Sequence, residues 1–128
     1  MQIVARISAD FAVFAAIAAL TCSAAAAGPS FSCARAATPD ERAICRSPAL
    51  SAADRQLSAY FRAIQRCTMM GGRGDNIEDQ RSWLQARARC GSDMACLSAL
   101  YRVRNAEFAP RAAAARRYMK AEQCPHPL

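Results

Sequence analysis

The sequence predicts an all-α protein, a small disulfide-stapled bundle of four to five helices preceded by a signal peptide. Three observations carry this prediction. Beyond residue 27, apolar residues recur at three- and four-residue spacing, and no stretch alternates with the two-residue period of a strand. Capping residues followed by proline or an acidic residue punctuate the chain. Six of the seven cysteines (Cys33, Cys45, Cys67, Cys90, Cys96 and Cys124) lie behind the signal, an even set that implies disulfides and an oxidising compartment.

Residues 1–27 read as the signal. Arg6 and the amino terminus supply positive charge, and Phe11 to Leu20 is an apolar run too short to span a bilayer. Ala24 to Ala27 offer small-residue cleavage sites, although Asp10 is an awkward neighbour for the apolar run. Cys22 sits in Leu20-Thr21-Cys22-Ser23, which looks like a lipoprotein box with threonine where a smaller residue normally stands. Cys22 is therefore expected to leave with the signal and carry no lipid. The expected location is periplasmic or secreted, with no membrane span after processing.

Residues 28–128 are expected to form one domain, whose small core needs covalent help. The signal removes only Arg6 and Asp10, so this domain keeps the net charge of +7, and all its basic residues except Lys120 are arginine. Such a balance favours anionic partners, and export sets nucleic acid aside.

The elements follow in order. Thr38-Pro39-Asp40-Glu41 starts a short helix with a cap, a proline at its first position and a capping-box glutamate, and this helix runs to about Arg46. Ser47-Pro48 starts a second helix to about Met70, with Leu50, Ala53, Leu57, Tyr60, Phe61, Ile64 and Cys67 on its core face. Gly71-Gly72-Arg73-Gly74 is expected to be a flexible loop. Asp75, with Glu78 three residues on, is expected to begin a third helix carrying Ile77, Trp83, Leu84 and Ala88. Cys90-Gly91 stops it, and Ser92-Asp93 caps a fourth with Cys96, Leu97, Leu100, Tyr101 and Phe108 on its apolar side. Pro110 predicts a kink or break before a further helical stretch, Arg111 to Glu122, and the proline-flanked tail from Cys124 is irregular.

Two stretches resemble the LprI-type lysozyme-inhibitor domain. The first is Cys33-x-x-x-x-Thr38-x-x-Glu41-x-x-Ile44-Cys45, followed by Leu50, Asp54, Leu57 and Tyr60. The second runs Arg81-x-Trp83-Leu84-x-x-Arg87-x-x-Cys90-x-x-Asp93-x-x-Cys96-Leu97-x-x-x-Tyr101-x-x-Arg104. The resemblance covers about residues 33–108 and leaves 109–128 as a C-terminal extension. It implies a small exported helical bacterial domain, in a family whose namesake inhibits lysozyme. It also implies the pairs Cys33–Cys45 and Cys90–Cys96. Cys67 and Cys124 lie outside the family pattern; if the first two bonds form, they are left to each other.

The residues themselves argue against catalysis. The only histidine, His126, lies in the tail, so a Ser-His or Cys-His arrangement has no support. No C-x-x-C occurs, which argues against zinc, and no cofactor is implied. Asp40, Glu41, Asp75, Glu78, Asp79 and Asp93 are accounted for as helix-start residues, while Asp54 and Glu107 are expected to pair with arginines. Trp83, the lone tryptophan, is expected to anchor the core. Arg73-Gly74-Asp75 spells an adhesion tripeptide that chance also produces.

Two functions follow as expectations. The first is a protein-binding module that inhibits lysozyme-like muramidases through the loop Gly71 to Asn76. Arg73 would be its principal contact, with Asp75, Glu78 and Asp79 as an acidic patch beside it. The second is a structural role in which an arginine-rich face, including Arg111, Arg116, Arg117 and Lys120, meets anionic lipid or cell-wall polymer.

Overall fold

The computed structural model describes residues 27–124. The signal-peptide reading, all but its last residue Ala27, and Cys22 fall on residues 1–26, and the tail with His126 on 125–128, outside the described residues. A 3-10 turn at Cys33–Arg35 precedes four helices: α1 (Pro39–Arg46), α2 (Pro48–Arg66), α3 (Met70–Arg89) and α4 (Met94–Lys120). Among the described residues there is no strand, and no helix is long and apolar enough to cross a membrane.

Local chemistry sets most of the boundaries. The Glu41 carboxylate accepts the backbone N–H of Ala37 at 2.8 Å and of Thr38 at 3.2 Å, closing the capping box of α1. Ser47 ends α1 and caps α2, its hydroxyl accepting from the Leu50 N–H. The Asp93 carboxylate takes the N–H groups of Ala95 and Cys96 at the start of α4. Gly91, at φ +55°, makes the tight reversal between α3 and α4.

The core lies between α2 and α4, with α1 closing one end. Leu50, Leu57 and Ile64 recur every seventh residue on α2 and meet Leu97, Tyr101, Phe108 and Ala112 of α4, beside Ala43 and Ile44. The two long helices run in the same direction. Asp54 meets Tyr101 near their beginnings, and the Cys67–Cys124 bridge joins the segments that follow them. The helix between them, α3, returns in the opposite sense.

All three disulfides form: Cys33–Cys45, Cys90–Cys96 and Cys67–Cys124, with Cα separations of 5.8, 5.6 and 4.7 Å. Such cystines suit an oxidising compartment. Their sequence separations are 12, 6 and 57 residues, so in the chain-entropy account the third restricts the unfolded chain most.

Two expectations are corrected. Residues 71–74 are not a loop, because α2 ends at Arg66 and α3 begins at Met70, running through all three glycines. Glycine weakens a helix, but here tertiary bonds override that preference. Arg73 Nε donates to the carbonyls of Gln65 at 3.0 Å and Thr68 at 2.8 Å. Asn76 Nδ2 donates to Gln65 Oε1 and Thr68 Oγ1, fastening the start of α3 to the end of α2. At Gly72 the approach is close enough that a Cβ would lie 2.8 Å from the Thr68 methyl.

Pro110 does not break the chain either: it sits inside the single 27-residue helix α4. Proline deprives the Ala106 carbonyl of its helical partner, but Ala106 and Pro110 are both exposed, so water can replace that bond.

Candidate functional site, an aromatic cleft over a four-helix ionic lock

Each helix contributes one residue to a buried polar cluster: Asp40 from α1, Asp54 from α2, Arg87 from α3 and Tyr101 from α4. Arg87 Nε donates to Asp40 Oδ2 at 2.8 Å, and Arg87 Nη1 donates to the Tyr101 hydroxyl at 3.4 Å. The Tyr101 hydroxyl donates to Asp54 Oδ1 at 2.7 Å, and Arg87 Nη1 stands 3.8 Å from that same oxygen. The Ser30 N–H reaches the second Asp54 oxygen at 2.6 Å.

Arg87 is the only buried residue of α3. The sequence explains why: residues 70–89 lack a continuous apolar stripe, so polar anchors replace a hydrophobic face in holding this helix. Asp79 grips the buried Arg104 of α4 at 2.6 Å, and Asn76 Oδ1 accepts from Arg111 at 3.1 Å. Arg104 also lies over the Phe108 ring, 4.1 Å from its centroid.

The electrostatics follow from these contacts. Burial pushes the Asp40 carboxyl up, but the Thr38 hydroxyl and the Arg87 guanidinium outweigh it and hold the group below its ordinary value. The Ala37 and Thr38 N–H groups lower Glu41 in the same way. Burial, aided by the Asp54 carboxylate, pushes the Tyr101 phenol well above its ordinary range, so it remains a donor at physiological pH.

Above this lock lies a half-open cleft of about 310 Å³ between the N-terminal arm, α2 and α3. Phe31, Phe61, Trp83 and Leu84 supply apolar walls, and Glu41 and Arg87 bring charge to its rim and floor. Trp83 meets the Tyr101 ring edge-on at 5.1 Å between centroids, so it is half core and half wall. Arg87 stands over the Phe31 ring at 5.7 Å, which fixes the arm against the site. The arm is also held by Cys33–Cys45 and by Arg55, which donates to the carbonyls of Ala27 and Gly28.

The expected contact residues lie elsewhere. Arg73 is not presented on a loop; it is half-buried in α3 with its guanidinium committed to the end of α2. Asp75, Glu78 and Asp79 are exposed residues within α3 and not at its start, so helix-end chemistry does not account for them. Glu78 pairs with Arg81 at 2.9 Å, and Asp79 is spent on Arg104. None of the four lines the cleft. Asp40 also exceeds its expected part, since a helix-start carboxylate here turns inward to meet Arg87.

The expected pairing of Asp54 and Glu107 with arginines is met by Arg87 for the first and by Arg104 and Arg111 for the second. The four-residue cluster was not foreseen, although Asp54 carried a signal. It stands four residues after Leu50 and three before Leu57, on the core stripe, where an unpaired charge is prohibitively costly. Arg104, between Tyr101 and Phe108, carried the same signal. Comparisons with protein-family models, curated proteins and solved structures found no match, so the LprI-type resemblance stands on its sequence motifs alone.

Proposed function

We propose that this protein is exported to the periplasm or beyond as a protein-binding module, and that its partner is a lysozyme-like muramidase docking at the cleft of Phe31, Phe61, Trp83 and Leu84. The observation that carries the reading is the cleft itself. Its aromatic walls rest on a scaffold tied by one residue from each helix and by three disulfides. Aromatic side chains in a preorganised recess are among the residues that dominate binding energy in protein interfaces. The LprI-type motifs supply the partner class, and Trp83, Leu84 and Arg87 belong to those motifs.

Charge shapes how such a complex would form. At +7 the chain is repelled by a basic muramidase at long range. Glu78 is neutralised by Arg81 and Asp75 lies off the cleft, so association should be slow at low salt and quicken as salt screens the repulsion.

The test is inhibition of several muramidase types by the oxidised protein isolated after export. Leu84→Asp alters a partly exposed wall residue, so it should weaken inhibition roughly tenfold or more with the melting temperature unchanged. Arg73→Ala should instead lower the melting temperature and leave inhibition by the folded fraction intact. An absence of inhibition at micromolar concentration rejects the muramidase reading, and full inhibition by Leu84→Asp moves the site away from the cleft.

A further inference from the structure

The opposite end of the bundle carries a second surface, independent of the cleft. Met69 and Met70, at the start of α3, are 74% and 84% exposed, and Tyr118 near the end of α4 is 52% exposed. Met69 and Tyr118 line one shallow recess with the Cys67–Cys124 bridge. Val103 and Met94 are exposed singly elsewhere on α4, but Met69 and Met70 are the barest large apolar residues among those described, they are adjacent, and Met69 shares a recess with Tyr118.

Charge around them is one-sided. From Arg55 to Gly74 the chain holds four arginines and no carboxylate, and from Phe108 to Ala121 it holds three arginines and Lys120, again with no carboxylate. Because α2 and α4 run in parallel, their last turns lie at the same end. Arg62, Arg66, Arg116, Arg117 and Lys120 are all exposed there. Glu122 lines the recess and Asp75 lies more than a turn further along α3, so the cations outnumber the nearby acids. Cations beside the last turns also complement the helix dipoles, but that accounts for the charge and not for the bare methionines.

We propose that this end is a docking surface for an anionic phospholipid bilayer. Met69, Met70 and Tyr118 would enter the headgroup–acyl boundary, while Arg66, Arg117 and Lys120 meet lipid phosphates. Methionine adapts its shape to a fluid interface, tyrosine suits the boundary itself, and basic residues with long stems reach back to the headgroups. The charge asymmetry selects anionic over zwitterionic lipid. The protein would lie on the membrane by this end, whose recess shares no lining residue with the cleft.

The experiment is co-sedimentation of the oxidised protein, isolated after export, with two vesicle types: equimolar phosphatidylglycerol and phosphatidylethanolamine, and phosphatidylcholine alone. Binding is expected only to the first, and to fall steeply as salt shortens the screening length. Arg117→Gln with Lys120→Gln should weaken it on the order of tenfold or more. Met69→Ser with Met70→Ser should also weaken it severalfold, with an unchanged melting temperature because both side chains are solvent-exposed. Tyr118→Ser provides an independent check on the α4 side. Arg46→Gln with Arg102→Gln, two exposed cations on other faces, removes the same net charge and should change binding little. Equal losses from the two charge pairs would overturn the proposal in favour of diffuse attraction by net charge. Undiminished binding by the methionine pair would overturn it in favour of a purely ionic partner such as an anionic wall polymer. Failure to bind anionic vesicles would end it.

Discussion

The two ends of this bundle hold themselves together by different means. Around Asp40, Asp54, Arg87 and Tyr101 the chain is fixed by a buried ionic lock reaching every helix, with Cys33–Cys45 and Cys90–Cys96 close in sequence to its members. At the other end, α3 starts in a glycine-rich turn fastened by two polar side chains, and the small residues Ala112 and Ala115 fill the interior of α4. That end also carries Cys67–Cys124, the bond that closes the longest loop. Two short-range bridges thus reinforce the end that the lock already ties, whereas the far end relies on one long-range bridge and on side-chain bonds between α2 and α3.

Breaking the lock should have the largest effect. Arg87→Met leaves the buried carboxylates of Asp40 and Asp54 without their cation, and removing one partner of such a buried pair costs about 3–5 kcal/mol. Chemical denaturation of oxidised wild type and variant measures this directly. Because every helix touches the lock, the loss should be global, with amide exchange accelerating in all four helices.

Opening the far staple should cost less and act locally. Closing a loop of 57 residues contributes about 4 kcal/mol in the chain-entropy model, and Cys67→Ser with Cys124→Ser should forfeit about 2–4 kcal/mol. Amide exchange should rise first in the last turns of α4 and the first turns of α3, while the helices around Asp54 stay protected. Uniform acceleration would show that the two ends are one cooperative unit.

Titration sharpens the contrast, because the shifted groups belong to the lock or adjoin it. Asp40 and Glu41 are held below their ordinary values of 3.8 and 4.5, so the unfolded chain binds more protons in acid. Their contribution is present above that range and is lost as pH falls through the lowered folded values. Tyr101 has the opposite sense: its phenol is raised above 10.0, so unfolding gains by ionising it, and stability falls as pH climbs past that point. Tyr101→Phe should flatten the alkaline limb of a melting-temperature profile. It should also cost about 1–3 kcal/mol at neutral pH, since the buried Asp54 loses a hydrogen bond.

What was legible in the sequence divides along the same line. Helix starts at Thr38, Ser47 and Asp93 depend on residues within four positions of one another, so local chemistry revealed them. The all-α class followed from periodicity, and two of the cystine pairs are those the LprI-type resemblance implies, with the remaining two cysteines joined. The lock was hidden because its members stand at positions 40, 54, 87 and 101, and only folding brings them together. The start of α3 was misread because glycine is a breaker by itself, whereas the bonds from Arg73 and Asn76 that override it are tertiary. Pro110 was misread for a related reason, since its cost depends on whether water reaches the carbonyl it strands.

The smallest expected effect discriminates among the three glycines of that misread turn. A Cβ at Gly71 or Gly74 would meet nothing within 4 Å, and both positions are exposed within α3. Neither needs glycine's left-handed freedom, so alanine should favour the helix and restrict the unfolded chain. Gly71→Ala and Gly74→Ala should each stabilise by about 0.5–1 kcal/mol. Gly72 differs, because its Cβ would press on the Thr68 methyl at 2.8 Å, and Thr68 is not free to yield. The Thr68 hydroxyl donates to the Ile64 carbonyl at 2.7 Å and accepts from Asn76, so rotating the side chain would release the tie between α2 and α3. Gly72→Ala should therefore destabilise, reversing the order that helix propensity alone predicts. Equilibrium unfolding of the three single variants reads the sign at each site. Stabilisation at all three would mean that α2 and α3 are held apart further than this junction requires, whereas destabilisation at all three would restore the loop expected from the sequence.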